Sequence, residues 1–426
     1  MPPRGDGGDG GGAARAAGLL RWPLALLATG VAGGVVGLAV ATLLHFVQHL
    51  AYGYGALASE SFLQGVTQSS PLRRVAVLCL CGIVAGAGWW AVYRWCQPLR
   101  GIARAVRAEA WLPPFATTCH ALLQVITVAL GSPLGREVAP RELAAMLAGV
   151  LARRLALPAA HARLLVACGA GAGLAAVYNV PLAGAVFVLE ALLATAGWRA
   201  VLAALTTSCL AALVARAGLG NHPQYLVPHY PVTPALLAWA ALAGPLLGAL
   251  GTVFARWTAA ARRRAAAGWW LPLLCVLNFA CIGLVATRFP ALLGNGKGPA
   301  QVGFDGAFGA TAALALLGLR ALFTLTSLRA GAQGGLLTPA LAIGALLSIV
   351  LGEGWSLAWP GTAPGAFALV GGAAFLGATM RAPLTAAVLI AEFTRPGGAL
   401  LLPVALGVCG AWLGAAGMRR LRAAAA

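Results

Sequence analysis

Acidic side chains are nearly missing from this sequence: ten Asp and Glu stand against 29 Lys and Arg in 426 residues. Charged residues of both signs make up only 9%, where soluble domains carry roughly 25%. A soluble globular chain is therefore not the leading class. The nine Cys are scattered and form no CxxC pair, so neither a disulfide framework nor a zinc site is expected; they read as small buried hydrophobes. His45 and His49 share a helix face at i,i+4 but have no acidic or Cys neighbour, so no metal and no cofactor are expected. There is no HExxH stretch and no obvious Ser/His pair, since Ser327 has no His near it. An enzyme is not expected, and a membrane-embedded enzyme stays as a remote alternative.

Apolar sequence is what the chain has in abundance. It is 60% hydrophobic with a mean hydropathy of +0.86. Stretches near 20 residues can cross a hydrocarbon core about 30 Å thick. Segments 23–47, 75–92, 234–254, 269–286, 312–325 and 400–413 qualify, some with their flanks. Others are shorter and broken by Gly and Pro, and these read as tilted or re-entrant helices buried inside protein. The expected fold class is an all-α polytopic membrane protein.

The net charge of +19 raises nucleic acid as a partner, but no aromatic-interleaved basic face is visible. The basic residues fall instead in short connections: Arg73 and Arg74; Arg94, Arg100, Arg104 and Arg107; Arg153, Arg154 and Arg163; Arg256 and 262–264; Arg419, Arg420 and Arg422. That is the positive-inside pattern, which marks all of these loops as cytoplasmic. The expectation is a multi-pass protein of the cell membrane, both termini cytoplasmic, surrounded by lipid bilayer and without a nucleic-acid partner. Residues 1–18 are Gly/Ala-rich and read as a flexible cytoplasmic tail. With the ending "MRRLRAAAA", no C-terminal soluble regulatory domain is expected.

Internal repeats divide the rest. "GAGAGLAAVYNVPLAGAVFVLE" begins at Gly169 and "GGAAFLGATMRAPLTAAVLIAE" at Gly371, an offset of 202 that also relates Pro181 to Pro383 and Glu190 to Glu392. "GSPLGREVAP" from Gly131 pairs with "GAQGGLLTPA" from Gly331, and "LRGIARAV" from Leu99 pairs weakly with "GNGKGPAQV" from Gly294. The three pairs keep one order, so the chain reads as two related halves, 19–217 and 235–418. Paired halves with helices broken at matching places signal a transporter-type fold with an ion site at the breaks.

The breaks have helix-start chemistry. Gly-rich loops lead into Ala/Leu-rich helices at 101–107, 135–147, 297–302 and 335–347. A helix N-terminus offers free N–H groups and favours an anion. Cation sites at membrane depth want oxygen ligands, and only Glu137, Glu142, Glu190 and Glu392 lie in the repeated segments or their breaks. The candidate anion-binding groups are Gly101, Ile102, Val138, Leu336, Leu337 and Thr338. The N–H groups of Leu336 and Leu337 are favoured as uncharged donors; the Thr338 hydroxyl either joins them or caps its helix.

On "GREVA" at 135–139, "GGLLTP" at 334–339, "YNVPLAGAVFVLE" and "RAPLTAAVLIAE", the chain resembles the CLC family of chloride channels and proton/chloride antiporters. The resemblance covers nearly the whole chain after the tail. It implies two inverted halves with broken and re-entrant helices, a pore in each subunit, and a homodimer. It implies that Glu137, in the place of the Glu of the family's GREGP, is the gate that occupies the outer anion site when ionised. The alternative for Glu137 is a structural pair with Arg141 one turn on. Arg136 reads as a loop anchor, and Glu142 as a cap or a partner of Arg136 or Arg141.

The chain departs from the family pattern in four places. Arg100 replaces the Ser of GSGIP, either adding charge to the inner vestibule or snorkelling to the surface. The family's late Tyr has no counterpart after Gly410. Val138 and Ala139 replace the Gly and Pro that come after the gate. Ala191 stands where family antiporters often carry an inner proton acceptor, which favours a chloride channel over a proton/chloride antiporter. Leu336 argues against fluoride. Glu190 and Glu392, at equal places in the repeat, read as structural. Chloride or a similar small anion is the expected partner, with protons as a second one if the antiporter reading holds.

Overall fold

The computed structural model describes residues 10–54, 61–107, 111–395 and 400–424, with side chains between Leu20 and Arg420. Among them the chain is helical almost throughout, as apolar sequence must be when no water is available to satisfy backbone groups. The first half holds α1 (Gly10–Tyr52), α2 (Phe62–Gln68), α3 (Pro71–Trp95), α4 (Ile102–Arg107), α5 (Pro114–Ala129), α6 (Val138–Arg154), α7 (Ala159–Tyr178), α8 (Pro181–Phe187) with a π-helical turn at Val188–Leu193, and α9 (Trp198–Leu219). The second half holds α10 (Pro234–Arg263), α11 (Trp270–Ala286), α12 (Lys297–Phe304), α13 (Ala310–Ala330), α14 (Leu337–Ala358), α15 (Pro364–Met380), α16 (Pro383–Thr394) and α17 (Leu401–Ala424).

Among the described residues, eight helices are long and apolar enough to cross a membrane. α7, α9 and α14 belong to these eight, although the apolar segments read from sequence did not include them. Gly and Ala dilute α7, while Thr206, Thr207 and Ser208 interrupt α9. α11, at 17 residues, falls just short. Helix starts obey local chemistry. Pro opens α3, α5, α8, α10, α15 and α16, where its missing N–H costs nothing. The hydroxyls of Ser70 and Thr233 accept from Arg73 N–H at 3.2 Å and Leu236 N–H at 3.1 Å.

The halves match element for element, with α2 as an addition to the first. α1 packs on α9 as α10 packs on α17, and α6 on α7 as α14 on α15. They meet through equivalent helices. A Cβ on Gly82 of α3 would lie 2.7 Å from the Val276 Cα, one on Gly86 would lie 2.6 Å from the Pro272 Cα, and one on Gly283 would lie 3.1 Å from the Val75 Cα. Early residues of α3 thus face late residues of α11. Equivalent spans packed antiparallel, with small residues at the contact, mean that the two halves are inverted.

Two carboxylates tie the halves reciprocally. Glu190, just after α8, accepts from the first free amides of α16, Leu384 N–H at 3.0 Å and Thr385 N–H at 2.7 Å, and from the Thr385 hydroxyl at 2.6 Å. Glu392, in α16, accepts from Leu182 N–H at 3.1 Å and Ala183 N–H at 2.7 Å at the start of α8. Each acid satisfies orphan helix-start donors of the other half.

Arg320 of α13 is fully buried, and its Nη1 donates to the carbonyls of Leu292 at 3.0 Å and Gly294 at 3.1 Å in the break before α12.

Two expectations need correction. Arg73 and Arg74 do not share a membrane face with Arg94. α3 has 25 residues, about 37 Å at 1.5 Å per residue, and these arginines stand at its opposite ends. Arg73 instead donates to the Ala51 and Leu50 carbonyls at the end of α1, at 2.7 and 3.1 Å. Arg74, buried, donates to Val66, Thr67 and Ser69 carbonyls. Their charge is spent on helix ends, so it carries no topology signal. Second, α1 begins at Gly10, inside the segment read as tail; its Ala and Leu content favours helix. Residues 1–9 lie outside the described residues.

Candidate anion site

The breaks at 131–137 and 331–336 meet in the interior. Gly135 and Gly335, equivalent in the repeat, donate backbone N–H to each other's carbonyl at 2.7 Å in both directions, as an antiparallel bridge. Both positions demand glycine, because a Cβ on either would run into the Glu137 carboxylate. Arg262, at the end of α10, donates from Nη2 to the Gly334 carbonyl at 2.6 Å.

α6 and α14 start at this bridge. Glu137 is the N-cap residue of α6, yet its side chain caps nothing in its own helix. It is 1% exposed and reaches across to the other half. Oε1 accepts from the Leu337 N–H, the first amide of α14, at 2.7 Å. Oε2 accepts from the Tyr178 hydroxyl at 3.3 Å. The Tyr178 hydroxyl also lies 3.0 Å from the Thr338 Oγ1. A carboxylate bears its charge best where helix-start amides point at it, and a bound anion would seek the same donors.

Of the residues expected to hold an anion, Leu337 supplies its amide to the Glu137 carboxylate. Leu336 precedes it as N-cap, with its carbonyl accepting from Ala340 N–H at 2.9 Å. Thr338 turns its hydroxyl to Tyr178 instead of capping α14. Val138 opens α6 beside Glu137. Gly101 and Ile102 open α4, which packs on α7 and the π-helical turn. Arg100 is exposed and donates to the Trp111 carbonyl at 3.4 Å.

Charged neighbours differ from expectation. Among the described residues, no Glu137–Arg141 ion pair forms; the Arg141 guanidinium lies 4.4 Å from the Phe187 ring centroid. Arg136 is 6% exposed, its guanidinium 5.3 Å from the Tyr178 ring centroid. Glu142 pairs with neither arginine: its Oε2 lies 2.9 Å from Nδ1 of His120, on α5. Sequence reasoning also missed Tyr178. It ends α7 one position before the αL Asn179, and its counterpart in the second half is Met380, so the repeat did not single it out.

A family model described as voltage gated chloride channel matches residues 81–415. The chain belongs to the voltage gated chloride channel family. It is a multi-pass membrane protein of a channel and transporter family, not an enzyme. The chain is 30% identical to a voltage-gated ClC-type chloride channel ClcB of Escherichia coli O139:H28 over 410 residues, 90% of this chain and 93% of that protein. It is 36% identical to a putative chloride channel protein ClcB-like of Ralstonia nicotianae over 286 residues, 63% of this chain and 64% of that protein. Among solved structures, a slow cyanobacterial Cl−/H+ antiporter matches with a TM-score of 0.79 at 21% identity, over 93% of this chain and 95% of that one. A CLC-type fluoride/proton antiporter matches at 0.69 and 18% identity, again over 93% and 95%. These two share the family's fold.

Proposed function

We propose that this chain conducts chloride or a similar small anion across the cell membrane as a channel gated by Glu137. The observation that carries the reading is the Glu137 carboxylate on the first amide of α14. An anion and the ionised side chain compete for the same donors; protonation removes the competitor. Val138, Leu336, Leu337 and Thr338 frame that position, and Gly101 and Ile102 offer helix-start amides further along the path. The reading includes a homodimer in the bilayer and cytoplasmic termini, with Arg153, Arg154, Arg263 and Arg264 on the inner face.

The second reading is a proton/chloride antiporter, favoured by the fold shared with two proton-coupled relatives. Ala191 in place of an acid weighs against it. Purified protein in liposomes, with chloride efflux and pH recorded together, decides. Efflux without opposed proton movement is expected; proton movement against its own gradient would make the chain an antiporter, and absence of anion flux would overturn both readings.

Tyr178→Phe removes one of the two hydrogen bonds to the Glu137 carboxylate. At 3.3 Å this bond contributes about 1 kcal/mol, favouring the ionised form. The expected result is a flux profile moved to higher pH, with maximal flux unchanged. An unmoved midpoint would exclude the tyrosine from the gate.

A further inference from the structure

Among the described residues, the single ion pair joins α5 to α6 within the helical body. His120 is 8% exposed and Gln124 is fully buried. His120 Nδ1 lies 2.9 Å from Glu142 Oε2 and, equally, 2.9 Å from Gln124 Nε2. Gln124 Nε2 also donates to Glu142 Oε2 at 3.2 Å.

This geometry has two hydrogen-bonded states that differ by one proton. Nδ1 is a donor when it carries hydrogen and an acceptor when it does not. With the proton on, imidazolium Nδ1–H donates to the carboxylate. With the proton off, Nδ1 accepts from the Gln124 amide, whose two hydrogens then serve both Nδ1 and Glu142. Neither state leaves the ring nitrogen unpaired. The Gln124 Oε1 is buried with no partner in either, so the amide is oriented by its nitrogen, towards the pair. A buried ion pair is a poor device for stability, and ionisable groups inside a membrane mark proton routes.

The surroundings are predominantly cationic or neutral. On α6 itself, Arg141 is within electrostatic reach of both Glu137 and Glu142. Arg262 from α10 reaches the same two acids, and Tyr93 from α3 reaches Glu142. α3 also sets the Trp89 ring edge-on to the imidazole, with centroids 6.4 Å apart. From α7, Tyr178 is within electrostatic reach of Arg141, and from α1, His45 is within electrostatic reach of Arg136 and Lys297. Glu142 stands five residues past Glu137 on α6, about 7.5 Å along its axis, towards the end carrying Arg153 and Arg154.

We propose that His120, Glu142 and Gln124 form a one-proton store on the inner side of the pore, through which inner pH reaches the Glu137 gate. The proton enters on Nδ1 from the inner solution and leaves from it towards Glu137, with only N–H and O–H bonds made and broken. This rests on the gating reading of Glu137.

The test uses Glu142→Gln and His120→Gln, which keep hydrogen-bonding groups and remove the ionisable one. Chloride efflux is measured from liposomes with inner and outer pH set separately, and protein of one orientation is silenced by a membrane-impermeant thiol reagent on a cysteine placed in the outer mouth of an otherwise cysteine-free chain. Wild-type flux is expected to rise as pH falls on either side. Both variants should keep chloride flux and its outer-pH dependence while losing at least about nine-tenths of the response to inner pH. Retention of the inner-pH response in either variant overturns the proposal. So does a wild type that ignores inner pH, and so does loss of all chloride flux in both variants, which would make the cluster a structural tie. Glu137→Gln run alongside reports on the gate itself: if that variant keeps its pH dependence, the gate reading fails whatever the two cluster variants do.

Discussion

Chloride efflux from liposomes carrying Glu137→Gln is expected to be constant between about pH 4.5 and 7.5. In wild-type protein, flux should climb as pH falls, because protonation removes the competing carboxylate. The variant should match or exceed the wild-type maximum throughout. The cause is local. Ionised Glu137 holds the Leu337 amide at 2.7 Å and the Tyr178 hydroxyl at 3.3 Å; glutamine brings no charge to that helix start and yields the amides to an anion. Arg136→Gln serves as the control. It alters the loop and the contact with the Tyr178 ring but leaves the carboxylate in place, so pH dependence should survive. Wild-type pH dependence in folded Glu137→Gln protein would remove Glu137 from the gate.

Glu190→Ala should be the most destabilising change outside the bridge. It strands Leu384 N–H, Thr385 N–H and the Thr385 hydroxyl at the start of a helix that has no other cap. Bonds to a charged acceptor contribute about 1.5–3 kcal/mol each, and partial exposure allows water to recover some of that. A loss of about 3 kcal/mol is expected, read as a lowered unfolding midpoint in detergent. Glu392→Ala strands two amides, Leu182 and Ala183, and should cost less. Glu190→Gln keeps an accepting oxygen and should fall between wild type and Glu190→Ala. Equal stability of Glu190→Ala and wild type would mean that the reciprocal caps do not hold the halves together.

Part of this arrangement is legible in the amino-acid sequence alone. Broken helices must be flanked by residues that tolerate tight backbone approach, so Gly135 with Gly335 and Pro181 with Pro383 leave a readable repeat. The anion chemistry comes from helix starts and the scarcity of carboxylates. Partner choice stays hidden. His120 and Glu142 are 22 residues apart on different helices, and no spacing rule brings them together. Arg136 and Arg141 lie nearer to Glu142 in sequence but find aromatic rings instead. Arg73 and Arg74 look like topology markers in a string of letters, because composition cannot tell an arginine that caps a carbonyl from one that stays in water. Tyr178 escapes notice because a lone tyrosine beside Asn and Pro reads as turn sequence.

The bridge between Gly135 and Gly335 also fixes the register of the two helices that start from it. Two residues on, Glu137 and Leu337 occupy the same place in their halves, and the first rests its carboxylate on the amide of the second. Two glutamates there would set like charges against each other across one pair of amides, so the duplication can tolerate an acid on one side only. On the proposed gating role of Glu137, an otherwise two-fold passage has unequal mouths: an ion arriving from one end meets the carboxylate first, and from the other end meets it last, so current and pH response should differ between the two membrane faces.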